Sequence, residues 1–571
     1  MLRQGWRPGG SGVGGSSPLF CGPDERHLDL PFLLGDVVLT YRPVYELGDE
    51  IIAPWASSRS LLFIDGVNRP ASIAAYLAAL RAGHVVHLLD SSKDEANREL
   101  IRRYAPTGVV HIDDDGAWRR EPVTTGPHPA LHPDLAVLLS TSGTTGSSKF
   151  VKLSYRNVAA NTASIVEYLG LTADDRSITV LKPFYSYGYS VINTHAAVGG
   201  SLVLTDLSVQ SPELWSLAYR SGITNVPGVP HTFQVMRATS IDWNRLDRLR
   251  FLTQAGGRME PGLVRHFARL GEERGWSLFV MYGQTEGGPR LSYLPPSYAA
   301  RYPESIGVAV PGGTFELVDD DGAVLEGADV EGELVYRGPN IMVGYARAAA
   351  DLGTGEELPA LHTGDIARRN DVGLYVITGR KSRFIKFLGL RIGLDEIESA
   401  LEADGYRAAV AGTDEGLRVA VESPADGPSI GARLTAAYGL PAQFVSVAVV
   451  ESLPRLTNGK VDYQSLLTAA APPTRLWPAL RRFVSQIRCE VGAILLGRET
   501  SVSDVPEAFA LVFPNRPVPL DQSFVGLGGD SLGFVQLTVY LEELMDDLPA
   551  DWPERSVADL QSLARSRHAA V

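Results

Sequence analysis

The chain has 571 residues, 44% of them hydrophobic and 21% charged, with a formal net charge of −14. That length exceeds one ordinary core and predicts several domains, and the composition is that of a globular protein, neither fibrous nor globally disordered. The acidic balance excludes a general nucleic-acid or anionic-membrane surface, because both would repel it; any phosphate must be held by local geometry.

Residues 1–25, with Gly9-Gly10 and Gly14-Gly15, read as a flexible leader, since no strand-then-helix pattern surrounds those glycines. No signal-peptide apolar stretch is found in them. The two cysteines, Cys21 and Cys489, stand in no CxxC spacing, which predicts neither a disulfide framework nor a zinc cluster and fits a reducing cytoplasm. The apolar runs Phe32-Leu33-Leu34 and Leu202-Val203-Leu204 are strand-sized, far below the roughly 20 residues of a membrane span.

From 26 to 379, β-rich runs such as Ala136-Val137-Leu138-Leu139 and Ser201-Leu202-Val203-Leu204 alternate with helical periodicity such as Val158 to Leu169. The alternation predicts a large α/β core of parallel sheets covered by helices. A basic, hinge-like segment after Gly379 opens a small α+β stretch, 380–468. Ala469-Ala470-Ala471-Pro472-Pro473 begins a linker, 469–477, and 478–571 carries helical signals with few strand signals.

The first chemistry-bearing segment is a buried strand, Leu138-Leu139-Ser140, followed by Thr141, Ser142, Gly143, Thr144, Thr145, Gly146 and Lys149. Such a loop can turn backbone N–H groups, hydroxyls and one cation toward a polyphosphate. Walker A spacing is absent, and a plain Ser/Thr/Gly turn would have the same composition. The loop resembles the phosphate-binding motif of the adenylate-forming superfamily, which includes acyl-CoA synthetases and nonribosomal peptide synthetase adenylation domains. The resemblance runs through ordered motifs from about Asp36 to Leu467. It implies that Thr141, Ser142, Gly143, Thr144, Thr145 and Lys149 contact the phosphates of ATP. Ser148, Phe150 and Tyr155 depart from the usual proline, glycine and histidine.

Further on, Met281-Tyr282-Gly283-Gln284-Thr285-Glu286 resembles the family's YGxTE motif. The resemblance implies Tyr282 near adenine, Thr285 at the α-phosphate and Glu286 on Mg²⁺, a hard cation that suits a carboxylate and bridging phosphate oxygens. The stretch from Gly332 to Tyr345 resembles the next motif, read as a β-hairpin region without chemistry. Thr363-Gly364-Asp365 resembles TGD, which places Asp365 on the ribose hydroxyls. The segments Gly379 to Lys386 and Gly389 to Ile392 resemble the hinge and the glycine-bearing motif of a mobile subdomain. They imply that Arg380 contacts nucleotide and that Gly389 leaves room for a pantetheine arm; Ser382 stands where Asp or Lys is usual. Thr457-Asn458-Gly459-Lys460 resembles the motif delivering a catalytic lysine, which would hold the attacking carboxylate oxygen and the developing charge. In isolation YGxTE, TGD and NGK are ordinary turns; their order along one chain carries the reading.

Phe524-Val525-Gly526-Leu527-Gly528-Gly529-Asp530-Ser531-Leu532 resembles the phosphopantetheine attachment site of acyl and peptidyl carrier proteins, a helical-bundle domain. Asp530 is placed to cap a following helix and Ser531 to sit at the positive end of its dipole. Leu537, Leu541 and Leu544 support that helix. The stretch Asp504 to Pro519 reads as a long, proline-rich first loop. The resemblance implies 4′-phosphopantetheine on Ser531, with a phosphopantetheinyl transferase and a downstream carrier-dependent synthase or transferase as partners.

For the acid, Pro183-Phe184-Tyr185-Ser186-Tyr187-Gly188-Tyr189-Ser190 places Ser186 where amino-acid-activating domains have an Asp facing the α-ammonium. A hydroxyl cannot compensate a desolvated ammonium, a deficit on the order of several kcal/mol. A pocket built from Tyr185, Ser186, Ser190, Gly256, Gly257 and Arg290 is expected to favour a small or aryl, hydroxy or otherwise polar carboxylic acid. A structural ion pair is the other reading of Arg290. The sequence thus suggests an ATP- and Mg²⁺-dependent, AMP-forming acid–thiol ligase that loads its own carrier in secondary-metabolite (antibiotic) biosynthesis. The alternatives are an acyl-CoA ligase, an amino-acid-activating loading module, and a catalytically silent docking scaffold.

Overall fold

The computed structural model describes residues 27–35, 37–123, 128–140, 149–381, 383–387, 390–413, 416–422, 427–438, 440, 444–456, 461–469, 502–513, 518–524, 526–527, 537–538, 540–541, 544–545, 548–549 and 551–568. The chain divides into two compact units, with the boundary in the first crossing between Ile377 and Thr378.

Two large sheets organise the first unit. In one, Arg176–Ile178, Asn225–Gly228, Phe251–Gln254 and Ser277–Tyr282 run parallel, with Ser201–Val203 and Pro31–Leu34 continuing the parallel set on the other side of Arg176–Ile178. In the other, Leu61–Asp65, Val85–Leu89, Gly108–Ile112 and Leu135–Ser140 are parallel. These strands are buried along almost their whole length, as a sheet covered on both faces requires.

The expectation of parallel sheets holds for the sheet centres but not for their edges. Trp118–Pro122, Phe150–Ser154 and Ser292–Leu294 each return antiparallel to the strand before them. The reason is connection length: residues 113–117, 141–149 and 283–291 are each shorter than the dozen or so residues a parallel crossover needs. A smaller sheet has Thr314–Val318, Glu331–Arg337 and Leu361–Arg369 antiparallel, followed by Tyr375–Arg380.

Two helices position the site. Tyr155–Leu169 starts at a capping box: Ser154 Oγ accepts from the Asn157 N–H, and Asn157 Oδ1 accepts from the Ser154 N–H. It ends at Gly170 with φ 59°. Ser186–Val198 has Gly188 in its first turn, where a Cβ would stand 2.2 Å from the Lys182 carbonyl oxygen, so a larger residue would displace the helix start. Tyr76 from the helix Pro70–Arg81 donates to Asn193 Oδ1 at 2.8 Å and fixes the middle of this second helix.

The second unit contains the antiparallel hairpin Phe384–Phe387 and Leu390–Gly393, a sheet of Arg407–Thr413, Gly416–Glu422 and Val445–Val450, and the helices Leu394–Ala403 and Gly427–Tyr438. Arg383 is held there by Glu398, Asp395, the Val410 carbonyl and the Tyr463 ring and hydroxyl. Further along lie helices Val505–Val512 and Val557–His568. The first of these corrects the sequence reading, which made Asp504 to Pro519 a loop. Pro506 stands in the opening turn, where its missing N–H is no loss, and Asp504 Oδ1 caps the Glu507 N–H at 2.9 Å. Leu537 and Leu541 are fully buried and Leu544 is packed against the same apolar cluster. Among the described residues no helix is long and apolar enough to cross a membrane.

Candidate functional site

The parallel strands of the first unit end where the sequence placed its chemistry. Ser140 closes Leu135–Ser140, Tyr282 closes Ser277–Tyr282, and Gln254 and Gly228 close their neighbours. Ligands of open α/β sheets collect at such carboxyl ends.

At Tyr282 the chain turns sharply. Gly283 is required, because a Cβ there would meet the Pro289 carbonyl oxygen at 1.9 Å. Thr285–Gly287 forms a single 3₁₀ turn, and Gly288 takes φ 65°. The turn is clamped by two buried amides: Asn340 Nδ2 donates to the carbonyls of Gly287 (2.6 Å) and Arg290 (3.0 Å), and Asn161 Nδ2 donates to Arg290 O at 3.0 Å. Asn340 is itself held by the Tyr336 hydroxyl at 2.7 Å.

Three separate motifs meet around this turn. Asp365, 2% exposed on Leu361–Arg369, accepts from Tyr282 Oη at 2.5 Å and from Gln284 Nε2 at 2.9 Å, both at Oδ2. Gln284 also donates to the Thr363 carbonyl at 2.8 Å. The TGD and YGxTE segments, some eighty residues apart, are thus one hydrogen-bonded unit. On the other side, Glu286 Oε1 accepts from the Tyr345 hydroxyl at 2.9 Å, and Lys149 Nζ sits 3.6 Å from the centroid of the same tyrosine ring. Burial, and secondarily the charge of Glu286, pushes the Tyr345 phenol up, so it remains a donor. Lys149, at the downstream end of the phosphate loop, and the candidate Mg²⁺ ligand are therefore placed by one side chain.

The donor set fits Mg²⁺ bound in the company of polyphosphate. Among the described residues no group of three or more His, Cys, Asp or Glu could cage a metal, whereas Mg²⁺ is commonly held by one or two carboxylates plus phosphate oxygens. Glu286 would be that carboxylate.

Next to the turn is a small cavity of about 20 Å³. Ser190 and Arg290 line it, together with Tyr187, Thr194, His195 and Met281. Ser190 is buried, and its hydroxyl donates to the Tyr187 carbonyl at 2.7 Å. His195 donates from Nδ1 to the Val191 carbonyl and accepts at Nε2 from Asn225; burial pushes its imidazole down, which keeps it neutral. Arg290 is 3% exposed, and its guanidinium carbon stands 4.0 Å from the Tyr187 ring centroid. It makes no ion pair among the described residues, so the structural ion pair weighed from sequence is not present there.

The remaining expected residues fall elsewhere. Tyr185 stands at the N-cap position of the helix Ser186–Val198 and Ser186 is its first residue; neither lines this cavity. Gly256, at φ 86°, and Gly257 follow Phe251–Gln254 beside Val229 and Pro230 and also lie off it. Arg380 ends Tyr375–Arg380 and belongs to the second unit. Thr141, Ser142, Gly143, Thr144, Thr145, Ser382, Gly389, Lys460 and Ser531 lie outside the described residues. The sequence did not single out Tyr345, Asn161, Asn340 or Gln284. Tyr345 stood within a motif that was given no chemistry, and its placement beside Gly344 was the one available signal.

The family of AMP-binding enzymes matches residues 58–346, just over half of the chain. An indoleacetate–CoA ligase of Aromatoleum aromaticum is 32% identical over 355 residues, covering 58% of this chain and 67% of the relative. An N-(5-amino-5-carboxypentanoyl)-L-cysteinyl-D-valine synthase of Amycolatopsis lactamdurans is 27% identical over 565 residues, 88% of this chain but only 14% of that protein. Among solved structures, ATP-bound MatB of Rhodopseudomonas palustris superposes with a TM-score of 0.65 at 22% identity, over 79% of this chain and 98% of that one. The chain belongs to the AMP-binding enzymes, and its first unit is built on their mixed α/β adenylate-forming fold.

Proposed function

We propose that this protein activates a small or aryl, polar carboxylic acid with Mg·ATP, forming an acyl-adenylate and pyrophosphate, and passes the acyl group to a phosphopantetheine thiol on its own C-terminal segment. The observation that carries the first half is the meeting of Asp365, Tyr282 and Gln284 on one side of a single turn and Glu286, Tyr345 and Lys149 on the other. Glu286 would hold Mg²⁺ against the phosphates, Asp365 would accept from the ribose, and Thr285, directly before Glu286 in the same 3₁₀ turn, would meet the α-phosphate. The substrate carboxylate attacks that phosphorus, and the bond to the pyrophosphate oxygen breaks. Lys460 is assigned to hold the attacking oxygen and the growing charge.

Two things support loading in cis. The carrier-like sequence around Ser531 is one. The other is the reach of the match to the Amycolatopsis synthase: the share of the chain it leaves out is smaller than residues 478–571, so it extends into that segment. The match to the indoleacetate–CoA ligase covers only 58% of the chain. The bound arm would supply the thiol that takes the acyl group as AMP leaves. The second reading, an acyl-CoA ligase, is favoured by the 32% identity to that ligase and expects free coenzyme A to be an efficient acceptor.

The test is pyrophosphate release over a panel of acids. Lys460→Ala is expected to lose orders of magnitude, since one preorganised charge is worth roughly 3–4 kcal/mol in such sites. Near-normal release by that variant removes the lysine from the mechanism.

A further inference from the structure

We infer that the acid bound here carries a second carboxylate, and that Arg290 is the residue that binds it, so that the substrate class is a dicarboxylic acid. The inference rests on the adenylation reading above and narrows its substrate.

Arg290 is a buried cation without a counter-ion among the described residues. It is 3% exposed and makes no ion pair among the described residues, and its Nε has no hydrogen-bond partner. Its Nη1 donates a long hydrogen bond, 3.5 Å, to the carbonyl of Pro289 beside it. The guanidinium also lies over the Tyr187 ring and hydrogen-bonds the phenol oxygens of Tyr168 and Tyr187, which are neutral partners. Burial pushes both phenols up, more than Arg290 pulls them down, so neither is a phenolate that could neutralise the charge. Leaving such a charge buried and unpaired costs several kcal/mol, a deficit that an incoming carboxylate would offset with charge-assisted, two-pronged hydrogen bonds.

The guanidinium is also aimed. Asn161 and Asn340 both hold the Arg290 carbonyl, and Asn340 holds Gly287 as well, so the backbone carrying the side chain is fixed before ligand arrives. Glu286 lies four residues earlier in the same clamped turn, on the side where the adenylated carboxylate must go. The second carboxylate would then occupy the Arg290 end. The cavity there, about 20 Å³, has space for only a few heavy atoms, about what a carboxylate head needs and too little for a long acyl tail. A buried cation also repels an α-ammonium, which disfavours amino acids by a route independent of Ser186.

The test uses shape-matched pairs, succinate against butyrate and isophthalate against 3-methylbenzoate, in ATP–pyrophosphate exchange. In at least one pair the wild-type protein is expected to prefer the diacid by ~100-fold in kcat/KM, and Arg290→Met to bring that ratio to about one or below. Arg290→Lys, which keeps the charge but not the planar fork, is expected to keep the fold and lose ~10-fold of the preference. Wild-type preference for the monoacid in both pairs overturns the inference while leaving adenylation standing, and so does an unchanged ratio in Arg290→Met. If no acid exchanges, the adenylation reading has failed, and diacid binding decides the inference alone. Thermal stabilisation of the wild type by succinate or isophthalate that is lost in Arg290→Met and weakened in Arg290→Lys supports it. Equal stabilisation of all three proteins, or of none, overturns it.

Discussion

Tyr345 makes two contacts that one substitution can separate. Its hydroxyl donates to Glu286 Oε1 at 2.9 Å, and its ring carries Lys149 Nζ at 3.6 Å. Tyr345→Phe removes the first and keeps the second. A hydrogen bond to a charged group contributes about 1.5–3 kcal/mol, and because both residues are only partly buried the lower end applies, a loss of about tenfold. Tyr345→Leu removes the ring as well, and the cation–π contact at a half-exposed site adds about 0.5–1 kcal/mol, another two- to fivefold. The assay is ATP–pyrophosphate exchange at saturating acid, read as kcat/KM for Mg·ATP across a Mg²⁺ titration. The expected order is wild type, then Phe about tenfold lower, then Leu lower again, with both variants needing more Mg²⁺. Activity of Tyr345→Phe within twofold of wild type would show that the hydroxyl does not position Glu286. Equal activity of the two variants would show that the ring does not seat Lys149.

Asp365→Asn leaves an amide where Tyr282 and Gln284 both donate to one oxygen, and is expected to raise KM for ATP by about 10- to 100-fold; an unchanged KM removes Asp365 from nucleotide binding. Burial pushes His84 and His87 down to about 4 from 6.5. Both are neutral when folded and would take up protons when unfolded, so stability is complete above about pH 6.5 and falls as pH drops toward 4, by up to about 3 kcal/mol for each histidine. Urea unfolding between pH 4.5 and 7.5 should show this slope, reduced in His87→Gln; an equal slope in that variant refutes the assignment. Pyrophosphate release with an α-amino acid and its α-hydroxy analogue should favour the hydroxy member, and a tenfold preference for the amino member, about 1.4 kcal/mol, contradicts the reading of Ser186.

What the sequence made legible was local. A strand running into a hydroxyl-rich loop, a carboxylate after a turn, and the helical periodicity from Val158 to Leu169 all depend on residues a few positions apart. What it hid depends on pairings across the fold. Glu286 and Tyr345 are 59 residues apart, and Asn161 and Arg290 are 129 apart; no periodicity or spacing announces either contact. The antiparallel edges were derivable in principle from the short connections, but the alternating pattern of the parallel strands masked them. Arg290 shows the limit most plainly. The sequence placed it in the acid pocket with a structural ion pair as the other reading, and only its burial with no carboxylate beside it among the described residues separates the two. The helix Val505–Val512 was obscured by Pro506 and the prolines downstream, although a proline in a first turn is compatible with a helix.

The proposed function requires that one chain both adenylates its acid and receives it. The direct measurement is intact mass of the phosphopantetheinylated protein after incubation with Mg·ATP and an acid that supports pyrophosphate release, comparing wild type with Ser531→Ala. The proposed function predicts that both proteins release pyrophosphate, while only the wild type carries first the arm and then the acyl group. An arm-borne acyl mass on Ser531→Ala, or a wild-type arm that stays unloaded while free coenzyme A is acylated efficiently, would contradict it.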